Sequence, residues 1–237
     1  MMNFIDNQLQ FLTQKENYRI EIDGLRAFAV IAVIINHIDK KFLSSGYLGV
    51  DIFFVISGFV ITSSLLNKKY LNFKDFIFNF YERRIKRLIP VLIVVVFLSI
   101  LVYSMFSLDQ KLSIRTGIAS LFGMSNLYLF KQATNYFGQS EDLQVFTHTW
   151  SLGVEEQFYL LFPFITWSTG FSRFTRNGIR NFLILIIFFS ILSLIAFINL
   201  YDVNQPAAYF LMPARFWELS AGCITFIFAR NNRKFQA

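Results

Sequence analysis

Cysteine is all but missing from this chain. The single thiol, Cys223, excludes an internal disulfide, and neither zinc-ligand nor C-x-x-C spacing exists, so no metal is expected. A buried structural thiol is its simplest reading. Histidine is nearly as scarce, with only His37 and His148. Charge is short too: Asp, Glu, Lys and Arg make up 16% of residues, while 55% are hydrophobic and 31 are Phe. Soluble domains carry roughly 25% charged residues. The shortage excludes an ordinary globular core and reads as an all-α polytopic transmembrane helix bundle. Acids are the rarer sign, 15 against 22 Lys and Arg, for a net charge of +7. In a soluble protein that excess points to nucleic acid. In a membrane protein it reflects basic cytoplasmic loops, so the lipid bilayer is the expected partner and nucleic acid is not. A cleavable signal is also lacking, because the first residues are mixed and carry acids. The first apolar helix then serves as its own insertion signal into the inner (plasma) membrane.

About seven hydrophobic segments are present: Ile20 to Ile38, Gly49 to Leu66, Leu88 to Phe106, a weaker Ile114 to Phe130, Trp150 to Phe171, Phe182 to Leu200 and Ala207 to Ala229. Residues 68–87 between the second and third carry Lys68, Lys69, Lys74, Arg83, Arg84, Lys86 and Arg87. This basic cluster belongs in the cytoplasm, which also places the N-terminus inside. Phe73, Phe76, Ile77, Phe80 and Tyr81 form a helical stripe along it, as expected of an amphipathic helix on the inner membrane surface. Seven simple crossings would then leave Arg173, Arg176 and Arg180 outside, against the same rule. Either the fourth segment does not span or a re-entrant piece adds a crossing.

The first segment reads "GLRAFAVIAVIINH". Only nine consecutive apolar residues, Ala27 to Ile35, separate Arg26 from Asn36 and His37. A spanning helix needs about 20, so it must run over both Arg26 and His37. Their eleven-residue separation is about 20° past three turns and about 16 Å along the axis, which puts them on one face. Charge inside a membrane is costly and is retained where it lines a cavity with a function, although snorkelling to the two interfaces accounts for either group alone. Asp51 opens the second segment, 14 residues after His37. An acid there can fix the tautomer of an imidazole for general-base work, or cap the helix dipole. His148 is followed by Trp150, Glu155 and Glu156, with at least one acid inside the membrane zone or else facing solvent. Arg215 and Glu218, at i and i+3, can neutralise each other or serve a site. Arg84 and Arg87, one turn apart, suit polyphosphate or simple positive-inside anchoring.

Together these motifs resemble the membrane acyltransferase-3 family, the integral membrane O-acyltransferases of bacterial surface glycans. The pieces carrying the likeness are "DGLRAFAVIAVIINH", "GYLGVDIFFVISGFVIT", "FYERRIKRLIP", "FTHTWSLGVEEQFYLLFP" and "ARFWELSAG", in the family's order from Asp23 to Gly222. The resemblance implies a single acyltransferase domain over 1–237, with about ten membrane helices in the whole family domain, so three beyond Ala237. It also implies transfer of an acyl group, usually acetyl, from acyl-CoA to a hydroxyl on a surface or lipid-linked saccharide. The family's Arg-x10-His motif falls on Arg26 and the presumed catalytic His37, and its Arg-x-x-Arg motif on Arg84 and Arg87 as a contact for acyl-CoA. Asp51 is the acid of the second motif. His148, Trp150, Ser151, Glu155 and Gln157 are the motif positions of the fourth, where Glu156 is variable.

The expected chemistry is proton abstraction from the sugar hydroxyl by His37, oriented by Asp51, with Arg26 or another donor stabilising the oxyanion or holding the donor. A transient acyl-histidine is the alternative relay. The competing class is a transporter, whose proton or substrate path would use the same intramembrane Arg, His, Asp and Glu.

Overall fold

The computed structural model describes residues 20–39, 41–65, 70, 72–106, 111–134 and 145–231. The N-terminal segment expected in the cytoplasm, Lys68 and Lys69 of the basic cluster, and the end of the chain at Ala237 lie outside the described residues. Among those described there is helix and no strand: α1 (Ile20–Ile38), a 3₁₀ turn (Gly46–Leu48) running into α2 (Gly49–Leu65), α3 (Phe73–Phe106), α4 (Lys111–Leu121), α5 (Ser125–Thr134), a second 3₁₀ turn (Thr147–Thr149), α6 (Trp150–Ser168), α7 (Gly178–Val203), α8 (Gln205–Phe210) and α9 (Met212–Asn231).

The described helices include three that are long and apolar enough to cross a membrane, over Gly46–Leu65, Phe73–Met105 and Gly178–Val203. By length and apolarity these three, not seven, meet the requirement among the described helices. α1, α6 and α9 have the length, at 19, 19 and 20 residues, but carry Glu21, Asp23 and Arg26, Glu155 and Glu156, and Arg215, Glu218 and Arg230. The fourth segment is broken. Gly123 at φ +65°, a conformation that glycine adopts at little cost, ends α4 and turns the chain into α5. The seventh is broken as well, at Leu211, whose extended backbone separates α8 from α9. The described part of the basic segment, Phe73 to Arg87, forms nearly the first half of α3, which continues through Pro90 to Phe106. Within its stripe Phe76 and Phe80 are fully buried, Phe73 is exposed, and the Tyr81 hydroxyl donates to the Leu160 carbonyl of α6 at 2.9 Å.

The chain forms two compact units. The first comprises Met1–Tyr70, Phe164–Ser193 and Phe216–Ala237. Its interior is built on backbone-to-backbone approach. A Cβ at Gly58 would strike the Leu219 carbonyl, and one at Gly222 would strike the Val55 carbonyl, so α2 and α9 cross with nothing between them. Small residues at such crossings are the usual device for packing helices in lipid. Buried Cys223 donates its thiol to the Gly58 carbonyl at 3.4 Å, and Phe59 meets Phe226 edge to face beside it. The Trp217 backbone N–H donates to Ser193 Oγ at 3.1 Å, tying α7 to α9.

The second unit comprises Leu71–Pro163 and Leu194–Arg215. Leu92 and Val96 of α3 pack on Phe146. The rest of the α3 apolar surface is left uncovered: Val91, Val94, Phe97, Leu101 and Val102 are all exposed. In water such a face would be an aggregation liability, whereas lipid accepts it.

Candidate active site

The first unit holds Arg26, His37 and Asp51. α1 packs against the 3₁₀ turn and the start of α2 through two glycines. A Cβ at Gly46 would lie 2.6 Å from Asn36 Cβ, and one at Gly49 would lie 2.8 Å from Val33 Cγ2. Asn36 is buried and donates to the Leu43 carbonyl at 2.8 Å, which holds the connecting turn against α1. Ala29, Ala32 and Asn36 form the packed face.

His37 stands at the exposed end of that helix. Its Nδ1 lies 2.8 Å from the Val33 carbonyl one turn back. A carbonyl can only accept, so Nδ1 carries the proton and Nε2 keeps the basic lone pair when the ring is neutral. The ring is thus oriented by its own helix. On α2, Gly49 packs against α1, and Asp51 lies two residues, or about 200°, further around the helix. Asp51 shares a face with Val55 and Gly58, the face that meets α9. It is half-buried in the first turn of α2, where the helix dipole favours an acid.

Arg26 is half-buried and pairs with Asp23 at 3.6 Å, while its Nε is buried with no hydrogen-bond partner among the described residues. α1 is continuous from Arg26 to His37, so their attachment points stay about 16 Å apart.

The second unit holds the remaining candidates in two groups. In one, the Arg84 guanidinium lies 4.1 Å from the centre of the Tyr159 ring and 5.0 Å from that of Phe80. The Tyr159 hydroxyl donates to Glu155 Oε2 at 3.4 Å, and Glu155 is buried. Glu155 and Glu156 lie on α6 about one turn before Tyr159. Arg87, one turn on, is exposed. In the other, Arg215 is buried, with the ring centres of Phe197 and Tyr209 at 5.2 Å and Trp150 at 5.9 Å, and its Nε donates to the Tyr209 carbonyl at 3.2 Å. Trp150 is buried against Tyr209. His148 is exposed in the 3₁₀ turn that precedes it, and its carbonyl accepts from Ser151 Oγ at 3.3 Å. Glu218 belongs to the first unit, one turn beyond Arg215 along α9, and is almost wholly buried.

A residue that sequence reasoning passed over joins these pieces. Asn126 and Gln157 exchange hydrogen bonds, with Gln157 Nε2 to Asn126 Oδ1 at 2.8 Å and Asn126 Nδ2 to Gln157 Oε1 at 3.2 Å. Asn126 also donates to the Phe210 carbonyl at 3.0 Å and Gln157 to the Gly123 carbonyl at 3.2 Å. Ser125 Oγ donates to the Thr149 carbonyl at 2.6 Å. A Cβ at Gly153 would lie 2.6 Å from Asn126 Oδ1, so the glycine of "WSLGVEEQF" makes room for the amide. The signal in the sequence was a Ser-Asn pair inside an apolar run.

The family model for the acyltransferase domain, acyltransferase-3, matches residues 19–237. The chain belongs to the acyltransferase-3 family. Among curated relatives, O-acetyltransferase OatA of Staphylococcus aureus (strain NCTC 8325 / PS 47) is 38% identical over 204 residues, 86% of this chain and 33% of OatA. YrhL of Bacillus subtilis (strain 168), named as a candidate peptidoglycan O-acetyltransferase, is 39% identical over 156 residues, 64% of this chain and 24% of that protein. The chain spans about a third of the length of the first of these acyltransferase-3 proteins and a quarter of the second. No solved structure matches it. No group of His, Cys, Asp and Glu able to hold a metal occurs among the described residues.

Proposed function

We propose that this chain performs O-acyl transfer at a membrane, moving acetyl from acyl-CoA to a hydroxyl of a cell-surface or lipid-linked saccharide. Peptidoglycan is the first acceptor to try, given the name of the Bacillus relative. The observation that carries the reading is the exposed His37 with Nδ1–H donating to Val33 and Nε2 left as the base. Nε2 takes the hydroxyl proton as the sugar oxygen attacks the thioester carbonyl. The C–S bond breaks, and the imidazolium returns the proton to the departing thiolate. Arg26, three turns away, holds a remote part of the donor or acceptor, and Asp51 contributes its charge from α2. Arg84 and Arg87 mark the side where acyl-CoA arrives. The polar helices α1, α6 and α9 are taken to cross the bilayer along with the three apolar ones.

His37→Ala should lower acetyl transfer at least about 100-fold, the lower end of general-base assistance. The measurement is thiol release from acetyl-CoA by membranes holding the full chain, together with acetate released by mild base from the glycan. Undiminished transfer would remove His37 from the chemistry. No thiol release from membranes of the unmodified chain would favour a transporter.

A further inference from the structure

We infer that the two arginines of "YERRIKRL" do different work: Arg87 meets the anionic donor, and Arg84 is a positioning residue that holds the acid-bearing turn of α6. This rests on the acyl-transfer reading and divides a site that the sequence treats as one.

Arg84 is already occupied by its own protein. Its guanidinium is laid on the Tyr159 ring, with Phe80 on the same helix as a second aromatic contact. Tyr159 in turn donates to Glu155, with Glu156 next to it on α6. Its Nε is buried with no hydrogen-bond partner among the described residues, so it is closed to solvent as well. A half-buried guanidinium held over an aromatic ring has little left to offer a soluble phosphate.

Arg87 is the opposite case. It is exposed, and no ion pair or hydrogen bond joins it to a described residue. Its neighbour Lys86 is committed to Glu82 at 2.5 Å. Three residues in a helix turn a side chain by about 300°, so α3 presents Arg87 beside Arg84 and one turn further along. An exposed guanidinium without a protein acid suits a phosphate-bearing anion, whether the nucleotide of acyl-CoA or a lipid headgroup.

Steady-state kinetics on full-chain membranes separate these roles. Arg87→Gln should raise the KM for acetyl-CoA about tenfold, as loss of one charge-assisted contact does, with kcat little changed. Arg84→Gln should lower kcat and leave KM within about twofold of its original value. Removing a carboxylate of that turn as well, in Arg84→Gln with Glu156→Gln, should recover much of the lost kcat and of the protein in the membrane. Equal KM increases in the two single variants would overturn the division, as would a double variant no better than Arg84→Gln alone. If Arg87→Gln leaves KM unchanged and alters only the dependence of rate on the anionic-lipid content of vesicles, Arg87 faces headgroups and the donor contact is wrong. These outcomes are independent of His37: a His37→Ala enzyme that still transfers acetyl refutes the chemistry, whereas the kinetic split refutes only the assignment of the arginines.

Discussion

His37 has one nitrogen to spend. With Nδ1–H committed to Val33 at 2.8 Å, the neutral ring offers Nε2 to solvent or substrate, and no second side chain is needed to select the tautomer. Trp150 is a residue of another kind. Buried, stacked on Tyr209 and facing Arg215, it fills space that nothing else can occupy. Trp150→Ala should cost about 3–5 kcal/mol, the range for large aromatics removed from a core. Trp150→Phe keeps an aromatic face and should lose much less, which thermal unfolding in detergent will resolve. At this scale the sequence exposed the charged residues well. Arg26, Glu155, Arg215 and Glu218 stand out because an ion in an apolar segment needs a reason. Asn126 did not stand out. A neutral amide costs less to bury, and the partner that explains it, Gln157, is 31 residues away.

Helices in this protein approach one another where glycine allows it, and the consequences differ from glycine to glycine. Gly58 and Gly222 face the carbonyls of Leu219 and Val55, backbone that cannot move aside. Gly58→Ala or Gly222→Ala should separate α2 from α9 and destabilise the first unit by about 1–3 kcal/mol, as overpacking does. Gly24 is also helical, yet a Cβ there has nothing within 4 Å. Gly24→Ala should be neutral or stabilising by about 0.5–1 kcal/mol, since it removes only backbone freedom. Protease resistance of the three variants side by side gives the order. The helix spans themselves were readable where no backbone break interrupts the segment: α1 covers Ile20–Ile38 as expected, and α2 ends at Leu65, one residue before the expected Leu66. They were not readable where a backbone break sits inside an apolar stretch. Neither the positive φ at Gly123 nor the extended Leu211 changes the hydropathy around it, so segments four and seven each looked like one element.

At the scale of the whole molecule, the break at Gly123 removes a difficulty in membrane topology. With α4 and α5 at 11 and 10 residues, neither alone can span about 30 Å of hydrocarbon at 1.5 Å per residue. If the pair enters and leaves on one side, α6 becomes the fourth crossing, and the turn at residues 169–177 returns to the side of the α3 basic cluster. Arg173, Arg176 and Arg180 then obey the positive-inside rule that seven simple crossings would break. Cysteine labelling can test this with little background, because the one native thiol, Cys223, is fully buried. In a Cys223→Ser chain, a membrane-impermeant maleimide should label Ser45→Cys in intact cells, since Ser45 is exposed in the turn after α1. Arg176→Cys, also exposed, should react only after the cells are opened. Labelling of Arg176→Cys from outside would mean that α4 and α5 together complete a crossing. It would also place the entrance to α7 on the face opposite Arg84 and Arg87, away from the side where acyl-CoA is proposed to bind.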